Sequence, residues 1–338
     1  MLTTDLIERI LATIPARTIG VLGDLFLDRY LDVDAGLTEP SIETGLDAYQ
    51  VVRVRSYPGA AGTVINNLAA LGVGRIVPFS MIGDDGEGCE LRQALETLPS
   101  VAPANLVLTR ERRTPTYTKP MLCRVGETPR ELNRLDIKNR LPLPAAVEAR
   151  LIELLEAAWP ALDVLLVLDQ VSEPECGVVT TRMRERLAEL ASRTPEKIVI
   201  VDSRERIRLF RNVWLKPNER ECLKAADCPN LEAALRLLAE RAGRPVICTR
   251  GEAGMMILES AKSALLHVPG YAVTGPIDVV GAGDSSSAAM ACALACGTSL
   301  IAAASFGNLV ASITIQQIGV TGIASPEQVR QRWRNIAH

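Results

Sequence analysis

The stretch Asp278-Val279-Val280-Gly281-Ala282-Gly283-Asp284-Ser285 holds the residue types of an anion site with a base beside it. Two glycines flank an alanine, a carboxylate follows, and the small apolar residues from Ala288 to Cys296 have the character of a packed helix. A Gly-rich turn feeding a helix leaves several backbone N–H groups without intrahelical partners, and the peptide dipoles add roughly half a positive charge there. Such an end can hold a phosphate or a developing phosphoryl charge. Asp284 beside it could take a proton from an incoming hydroxyl. The same residues also fit a plain glycine turn capped by Asp284, because Asp is a favoured cap.

Other chemistry-bearing groups follow short apolar runs. Gly23-Asp24-Leu25-Phe26-Leu27-Asp28-Arg29-Tyr30 comes after Thr18 to Leu22, and carboxylates at a strand's C-terminal end sit where ligands bind in open α/β sheets. Asp24 as a simple turn cap is the competing reading. At Gly59-Ala60-Ala61-Gly62-Thr63 the backbone can approach a ligand, or a helix can pack closely on a strand. The acidic loop Gly83-Asp84-Asp85-Gly86-Glu87-Gly88 lacks the spaced ligands of an EF-hand and reads as a solvated turn.

These groups need a scaffold, and the apolar pattern supplies one. The N-terminal spacing of Leu6, Ile7, Ile10, Leu11 and Ile14 is that of an amphipathic helix. Strands are expected at Thr18 to Leu22, Ile76 to Ile82, Val164 to Leu168, Ile198 to Val201 and Val246 to Thr249, with helices around Leu151 to Ala158, Thr180 to Ser192 and Leu231 to Arg241. That alternation predicts an α/β fold whose mostly parallel sheet is sandwiched by helices. Polar or Gly-rich groups recur at the strand ends, so one sheet edge should collect the chemistry. Residues 31 to 57 read instead as a β flap, or lid, inserted into a single domain over 1 to 338, with Val51 to Arg55 alternating. Arg110 to Arg140 is the one basic stretch and reads as solvated strands whose cations could meet an anionic substrate.

Composition narrows the function. The 338 residues are 48% hydrophobic and 23% charged, as in a soluble globular protein. A net charge of −3 argues against a nucleic-acid partner. Two histidines, His267 and His338, leave no multi-histidine metal site, and eight scattered cysteines without a C-x-x-C pair suit a reducing cytoplasmic setting. No secretory signal is visible. The charge-free span between Asp284 and Glu327 is broken at Gly297-Thr298-Ser299, so two buried helices are expected rather than a membrane span.

Taken together, these elements resemble the PfkB (ribokinase-like) family of ATP-dependent sugar kinases over nearly the whole chain. Gly281-Ala282-Gly283-Asp284 is similar to the family's C-terminal signature, Pro58 to Gly72 to its N-terminal signature, and Asn218-Glu219-Arg220-Glu221 to its N-x-x-E element. Gly23 to Tyr30, Thr118-Lys119, Arg134-Leu135-Asp136 and Asp202 resemble the heptose-phosphate kinase branch. That branch often carries a fused adenylyltransferase domain, which this chain ends too soon to hold.

The resemblance implies a role for each matching residue. Asp284 would be the general base, with Gly281, Ala282 and Gly283 giving N–H groups to the transferring phosphoryl. Asp24, Asp28, Gly59, Ala60, Thr63 and Lys119 would line the acceptor site, and Lys119 or Arg134 could pair with a phosphate on it. Asn218 and Glu221 would organise Mg²⁺ and its waters, while Thr249, Gly251, Gly254 and Asn308 would line the ATP site. A monovalent-cation (K⁺) site near Asp278 and Val280 is left open, and the flap is expected to join a homodimer.

The chain departs from the family mainly on the acceptor side. A Gly-Gly pair and a following Asn are usual where it has Gly59-Ala60 and Thr63. A Thr is usual where Val279 or Val280 stands, and Arg204 replaces the Lys common in the heptose branch. The leading expectation is transfer of the ATP γ-phosphoryl group to a sugar or sugar phosphate. The alternative is a non-catalytic sugar- or nucleotide-binding regulator that keeps the fold. A dinucleotide-binding oxidoreductase would want G-x-G-x-x-G after the first strand, and Gly23-Asp24-Leu25-Phe26 does not supply it.

Overall fold

Val164, Leu165, Leu166, Val167 and Leu168 are all at most 1% exposed, as a strand in a sheet covered on both faces must be. The computed structural model describes residues 2–124, 126–319 and 321–336. In chain order, helix α1 (Thr4–Thr13) leads to strands β1 (Thr18–Gly23), β2 (Leu25–Pro40) and β3 (Asp47–Ala60), then α2 (Ala61–Ala70), β4 (Arg75–Gly83) and α3 (Gly86–Glu96). Next come β5 (Leu106–Thr109), β6 (Thr116–Cys123), β7 (Arg130–Glu131), β8 (Leu135–Ile137), α4 (Ala145–Ala158), β9 (Val164–Asp169), α5 (Thr181–Arg193) and β10 (Ile198–Ser203). The chain continues through β11 (Trp214–Leu215), α6 (Glu219–Ala226), α7 (Leu231–Ala242), β12 (Val246–Thr249), β13 (Met255–Leu258) and β14 (Leu266–Val268). It closes with α8 (Ala282–Ala295), α9 (Leu300–Thr314) and α10 (Pro326–Ile336).

Nine strands form the main sheet in the order β14-β13-β12-β11-β10-β9-β1-β4-β5. Neighbours from β12 to β5 pair parallel, and β13 and β14 add an antiparallel edge. Side chains alternate across the pleat. Val164, Leu166 and Leu168 therefore join the core with α1, α2, α8 and α9, whereas Leu165 and Val167 face α4, α5, α6 and α7. The small residues of α8 let it pack as a central helix: Ala288 to Ala293 are fully buried. Among the described residues no helix is long and apolar enough to cross a membrane.

A second sheet stands outside the main one, in the order β3-β2-β6-β7, with β8 pairing β6. It draws on more of the chain than residues 31 to 57, because β2 and β3 begin and end at the main sheet and the basic stretch supplies β6, β7 and β8. A bulge between Asp32 and Val33 interrupts the β2–β3 register. The root of this lid is clamped to α3, where Arg29 pairs with Glu90 and the Ser56 hydroxyl donates to Glu90 at 2.8 Å. The acidic Gly loop is no free turn: Asp85 caps α3, accepting from the Gly88 N–H at 2.7 Å and from the Thr114 N–H at 2.9 Å.

Candidate active site

All five parallel strands from β1 to β12 that flank the sheet centre end on one edge, and each end delivers a polar group. Asp24 follows β1, Asp169 and Gln170 come at the end of β9, Asp202 and Arg204 at the end of β10, Lys216 and Asn218 after β11, and Thr249 ends β12. The N-termini of α2 and α8 meet this edge.

The turn into α8 depends on Gly281, whose φ of 78° is left-handed backbone that favours glycine. A β-carbon there would also lie 2.7 Å from the Thr321 methyl, and Thr63 sits behind it at 3.7 Å. The Ala282 N–H donates to the Val279 carbonyl at 3.1 Å. Among the described residues, neither the Gly283 nor the Asp284 N–H donates to a backbone carbonyl, so these two amides stand open at the helix end. Asp278 braces the turn, accepting from the Val280 N–H at 3.0 Å and the Gly319 N–H at 3.2 Å.

Asp284 lies partly open to a cavity, yet protein surrounds its carboxyl group closely. Burial first, and then the Asp202 carboxylate, push it up to about 7, against the pull of Lys216, Arg204 and Gln170. The Gln170 amide Nε2 lies 3.4 Å from Asp284 Oδ1. A carboxylate that titrates near neutrality is matched to proton transfer at neutral pH.

Two cavities adjoin here and share Gln170 and Arg204, and Asp284 lines the first of them. One, of ≈ 320 Å³, is lined by the α8 turn, Lys216, Asn218, Glu221 and, opposite, Thr249, Gly251, Gly254 and Asn308. Lys216 is 2% exposed and its Nζ lies 3.0 Å from Asp202. Asn218 and Glu221 form a reciprocal cap on α6: the Glu221 N–H donates to Asn218 Oδ1 at 2.9 Å, and the Asn218 N–H to Glu221 Oε2 at 2.8 Å. Glu221 is raised above the ordinary carboxylate range, chiefly by burial. Asn308 lends its amide to the Val268 and Pro269 carbonyls, at 3.2 and 3.0 Å, and so shapes the cavity wall.

The other cavity, of ≈ 200 Å³, lies between the lid and the strand ends, lined by Asp24, Phe26, Tyr117, Arg134, Lys138 and Cys176 among others. Asp24 is 5% exposed and accepts from the Val178 N–H at 3.1 Å. Burial, and secondarily Asp169, push it up to about 7 despite that bond. Arg134 lies 4.2 Å and Lys138 5.8 Å from the Tyr117 ring centre, cations held over an aromatic face. Gln170 and Arg204 line both cavities.

Further along the lid, Asp28 faces a smaller hollow of ≈ 100 Å³ with Tyr30, Arg55, Tyr57 and Asn66. Its carboxylate lies 3.3 Å from Lys119. Burial works against the Lys119 charge, but Asp28 and the Tyr30 hydroxyl outweigh it and hold that ammonium above its usual range. Gly59 stands opposite, where a β-carbon would come within 2.4 Å of the Asp28 carboxylate.

The sequence-derived residues thus gather in three groups: Gly281 to Asp284 with Asn218, Glu221, Thr249, Gly251, Gly254 and Asn308 around the ≈ 320 Å³ cavity; Asp24 in the ≈ 200 Å³ one; Asp28, Gly59 and Lys119 along the lid. Thr63 is buried against the α8 turn, 7% exposed. Sequence reading passed over Gln170, Lys138 and Lys216. Lys216 had a signal, since it directly precedes Pro217-Asn218; Gln170 had only its place after a strand.

Residues 170–328 match the family described as pfkB family carbohydrate kinase. The chain is 33% identical over 330 residues to the "Bifunctional protein HldE" of Pelobacter propionicus, covering 95% of this chain and 64% of that protein. It is 30% identical to the protein of the same name from Azorhizobium caulinodans, covering 91% and 63%. It therefore spans a little under two thirds of the length of these curated relatives. Phosphofructokinase-2 from Escherichia coli superposes with a TM-score of 0.68 at 18% identity, covering 95% of this chain and all of that one. Ribokinase from Arabidopsis thaliana, complexed with ribose and ATP, gives 0.65 at 15%, covering 94% and 98%. These likenesses identify the fold as ribokinase-like.

Proposed function

On the premise that the chain belongs to the pfkB family of carbohydrate kinases, we propose that it transfers the γ-phosphoryl group of ATP to a hydroxyl of a sugar phosphate in the cytoplasm. The observation that carries this reading is that two cavities share Gln170 and Arg204 beside Asp284, one walled as a nucleotide would need and the other lined by cations on the lid. ATP would occupy the larger cavity, with its terminal phosphate toward the Gly283 and Asp284 amides and Lys216. The acceptor would lie beside Asp24, its own phosphate near Arg134 and Lys138, groups suited to an anion. Likeness to the heptose-phosphate kinase branch favours a heptose phosphate.

In this reading Asp284, ionised, takes the proton of the acceptor hydroxyl as its oxygen attacks phosphorus. Gln170 holds the carboxylate in place. Mg²⁺, bound with the triphosphate, would offset charge on it, and Glu221 fits as its partner through water, since the Asn218 N–H engages only Oε2. Phosphoryl transfer depends mostly on positioning and electrostatic stabilisation, which such groups provide. The lid would close over the acceptor and exclude water, limiting hydrolysis of ATP. A homodimer joined through the lid belongs to the same reading.

The test is ADP release from ATP–Mg²⁺ in the presence of sugars, sugar phosphates and nucleosides. Turnover is expected with sugar phosphates. Asp284→Asn should lower it by about 10²–10⁴ while leaving ADP affinity unchanged. In the wild type kcat/KM should climb with pH to about 7 and then level, because the base works only when ionised. Nucleotide binding without turnover on any acceptor would end the kinase reading; near-normal turnover in Asp284→Asn would remove that residue from the mechanism.

A further inference from the structure

Resting on the kinase reading above, we propose that Arg204 is a catalytic residue whose guanidinium holds the phosphoryl group as it passes from ATP to the acceptor. The argument begins with its place. Arg204 follows β10, on the sheet edge, and with Gln170 it lines both the ≈ 320 Å³ and the ≈ 200 Å³ cavities. A group that reaches both sides of the junction is where the migrating phosphorus must cross.

Its company strengthens the case. The other cations around the cavities have partners: Lys216 pairs with Asp202 at 3.0 Å, and Arg134 with Asp136 at 2.6 Å. Lys138 lies over the Tyr117 ring. The Arg204 backbone N–H donates to the Asp169 carbonyl at 3.2 Å, but among the described residues its guanidinium has no carboxylate within 4.0 Å and no hydrogen bond. It is exposed into the cavities, with its fork of donors unengaged. Its charge is nonetheless felt on three sides, pulling down the carboxyl groups of Asp284 and Glu221 and the phenol of Tyr117. A free guanidinium between the base, the acidic wall of the donor cavity and the acceptor wall lacks only an anion.

Arg134 and Lys138 line the acceptor cavity alone, so a phosphate already on the acceptor falls to them and the transferring one to Arg204. In the step, the acceptor oxygen bonds to the γ-phosphorus while its proton passes to Asp284. The bond from phosphorus to the β–γ bridging oxygen breaks, and that oxygen leaves with the electron pair as part of ADP. Two N–H groups of Arg204 can bond two equatorial oxygens throughout, a fork that a Lys in this position would not reproduce. Arginines acting on transferring phosphoryl groups in this way accelerate transfer by about 10³–10⁵.

The decisive comparison uses Mg²⁺–ADP with and without aluminium fluoride, a mimic of the transferring group that needs no acceptor. Calorimetry should show the wild type binding ADP–fluoroaluminate at least about tenfold more tightly than ADP, the scale of a charge-assisted contact. Arg204→Ala should lose that gain and keep ADP affinity within about twofold, with Arg204→Lys in between. With an acceptor that the wild type turns over, Arg204→Ala should lose kcat with little change in the acceptor KM, and added guanidinium ion should restore part of it. An equal fluoroaluminate gain in Arg204→Ala overturns the assignment while leaving the kinase reading intact. So does a rise in the acceptor KM at unchanged kcat, which would give Arg204 to the acceptor's own phosphate. A wild type that neither gains from fluoroaluminate nor turns over any sugar phosphate sinks both readings.

Discussion

Asp24 is a deeply enclosed carboxylate of the site: 5% exposed, one backbone N–H to accept, and Asp169 close by. Its folded pKa of about 7 lies above the 3.8 of an unfolded aspartate. The folded state therefore holds a proton that the unfolded state releases between those values. The stabilising effect is full below about pH 4 and is lost as pH rises through about 7. Asp24→Asn keeps an oxygen for the Val178 N–H and removes the ionisation. The ligand-free variant should match the wild type near pH 4 and exceed it at pH 8 by on the order of 2–4 kcal/mol, read from urea midpoints. A pH-independent difference would mean that burial is not what governs Asp24. At this scale the sequence revealed the residues whose chemistry is contiguous in the chain. Asp284 beside its glycines and Asn218 three before Glu221 are of this kind, because one turn positions backbone and side chain together. Gln170 and Arg204 carry no such local signature; only the neighbouring strand ends bring them to Asp284.

Between the lid and helix α2, one element junction is under strain. Ala60 ends β3 and precedes α2 with φ 54° and ψ −117°, a conformation that glycine adopts freely and an L-side chain does not. The geometry is fixed from both sides, because Leu25 pairs with Ala60 across the lid and the Ala61 N–H donates to the Asp24 carbonyl at 3.1 Å. The methyl cannot escape by shifting the turn. Such residues cost about 1–3 kcal/mol, so Ala60→Gly should stabilise the protein by about 1 kcal/mol after the larger unfolded-state entropy of glycine is deducted. The check is a higher denaturant midpoint at unchanged slope; a lower midpoint would show the turn relaxed with alanine. The departure from Gly-Gly was legible in the sequence, but its angle was not. The strands and helices of the main sheet were equally legible, since buried runs such as Val164 to Leu168 admit few alternatives. The lid was harder. β6, β7 and β8 carry charged and aromatic residues on a sheet with little core, so no apolar period marks them and the basic stretch read only as solvated strands.

At the scale of the whole molecule the outer edge of the lid is exposed. β3 is an outer strand of the lid sheet, and Val51, Val52 and Val54 are 45%, 57% and 54% exposed. Consecutive residues of a strand point to opposite faces, so apolar side chains face outward on both sides of the sheet. Tyr49, Leu37 and Leu46 extend the exposed apolar surface. A long edge strand of this kind is a template for pairing with another chain unless something covers it. A second copy of the same lid is the partner that the homodimer reading supplies, and an isologous contact would cover both edges at once. The joined lids would also stiffen the strands that carry Tyr117, Lys119 and Asp28, so assembly and acceptor binding should change together. Val52→Lys with Val54→Lys places two charges in the contact while leaving the main sheet untouched. Sedimentation at micromolar concentration should show a dimer in the wild type and a monomer in the variant. The variant's acceptor KM should rise by about tenfold, the effect of roughly 1.4 kcal/mol of lost ordering, while nucleotide affinity stays level, since the cavity proposed for ATP lies on the main sheet. A monomeric wild type would leave the exposed valines to some other cover, and an unchanged KM in a monomeric variant would uncouple the lid contact from the acceptor.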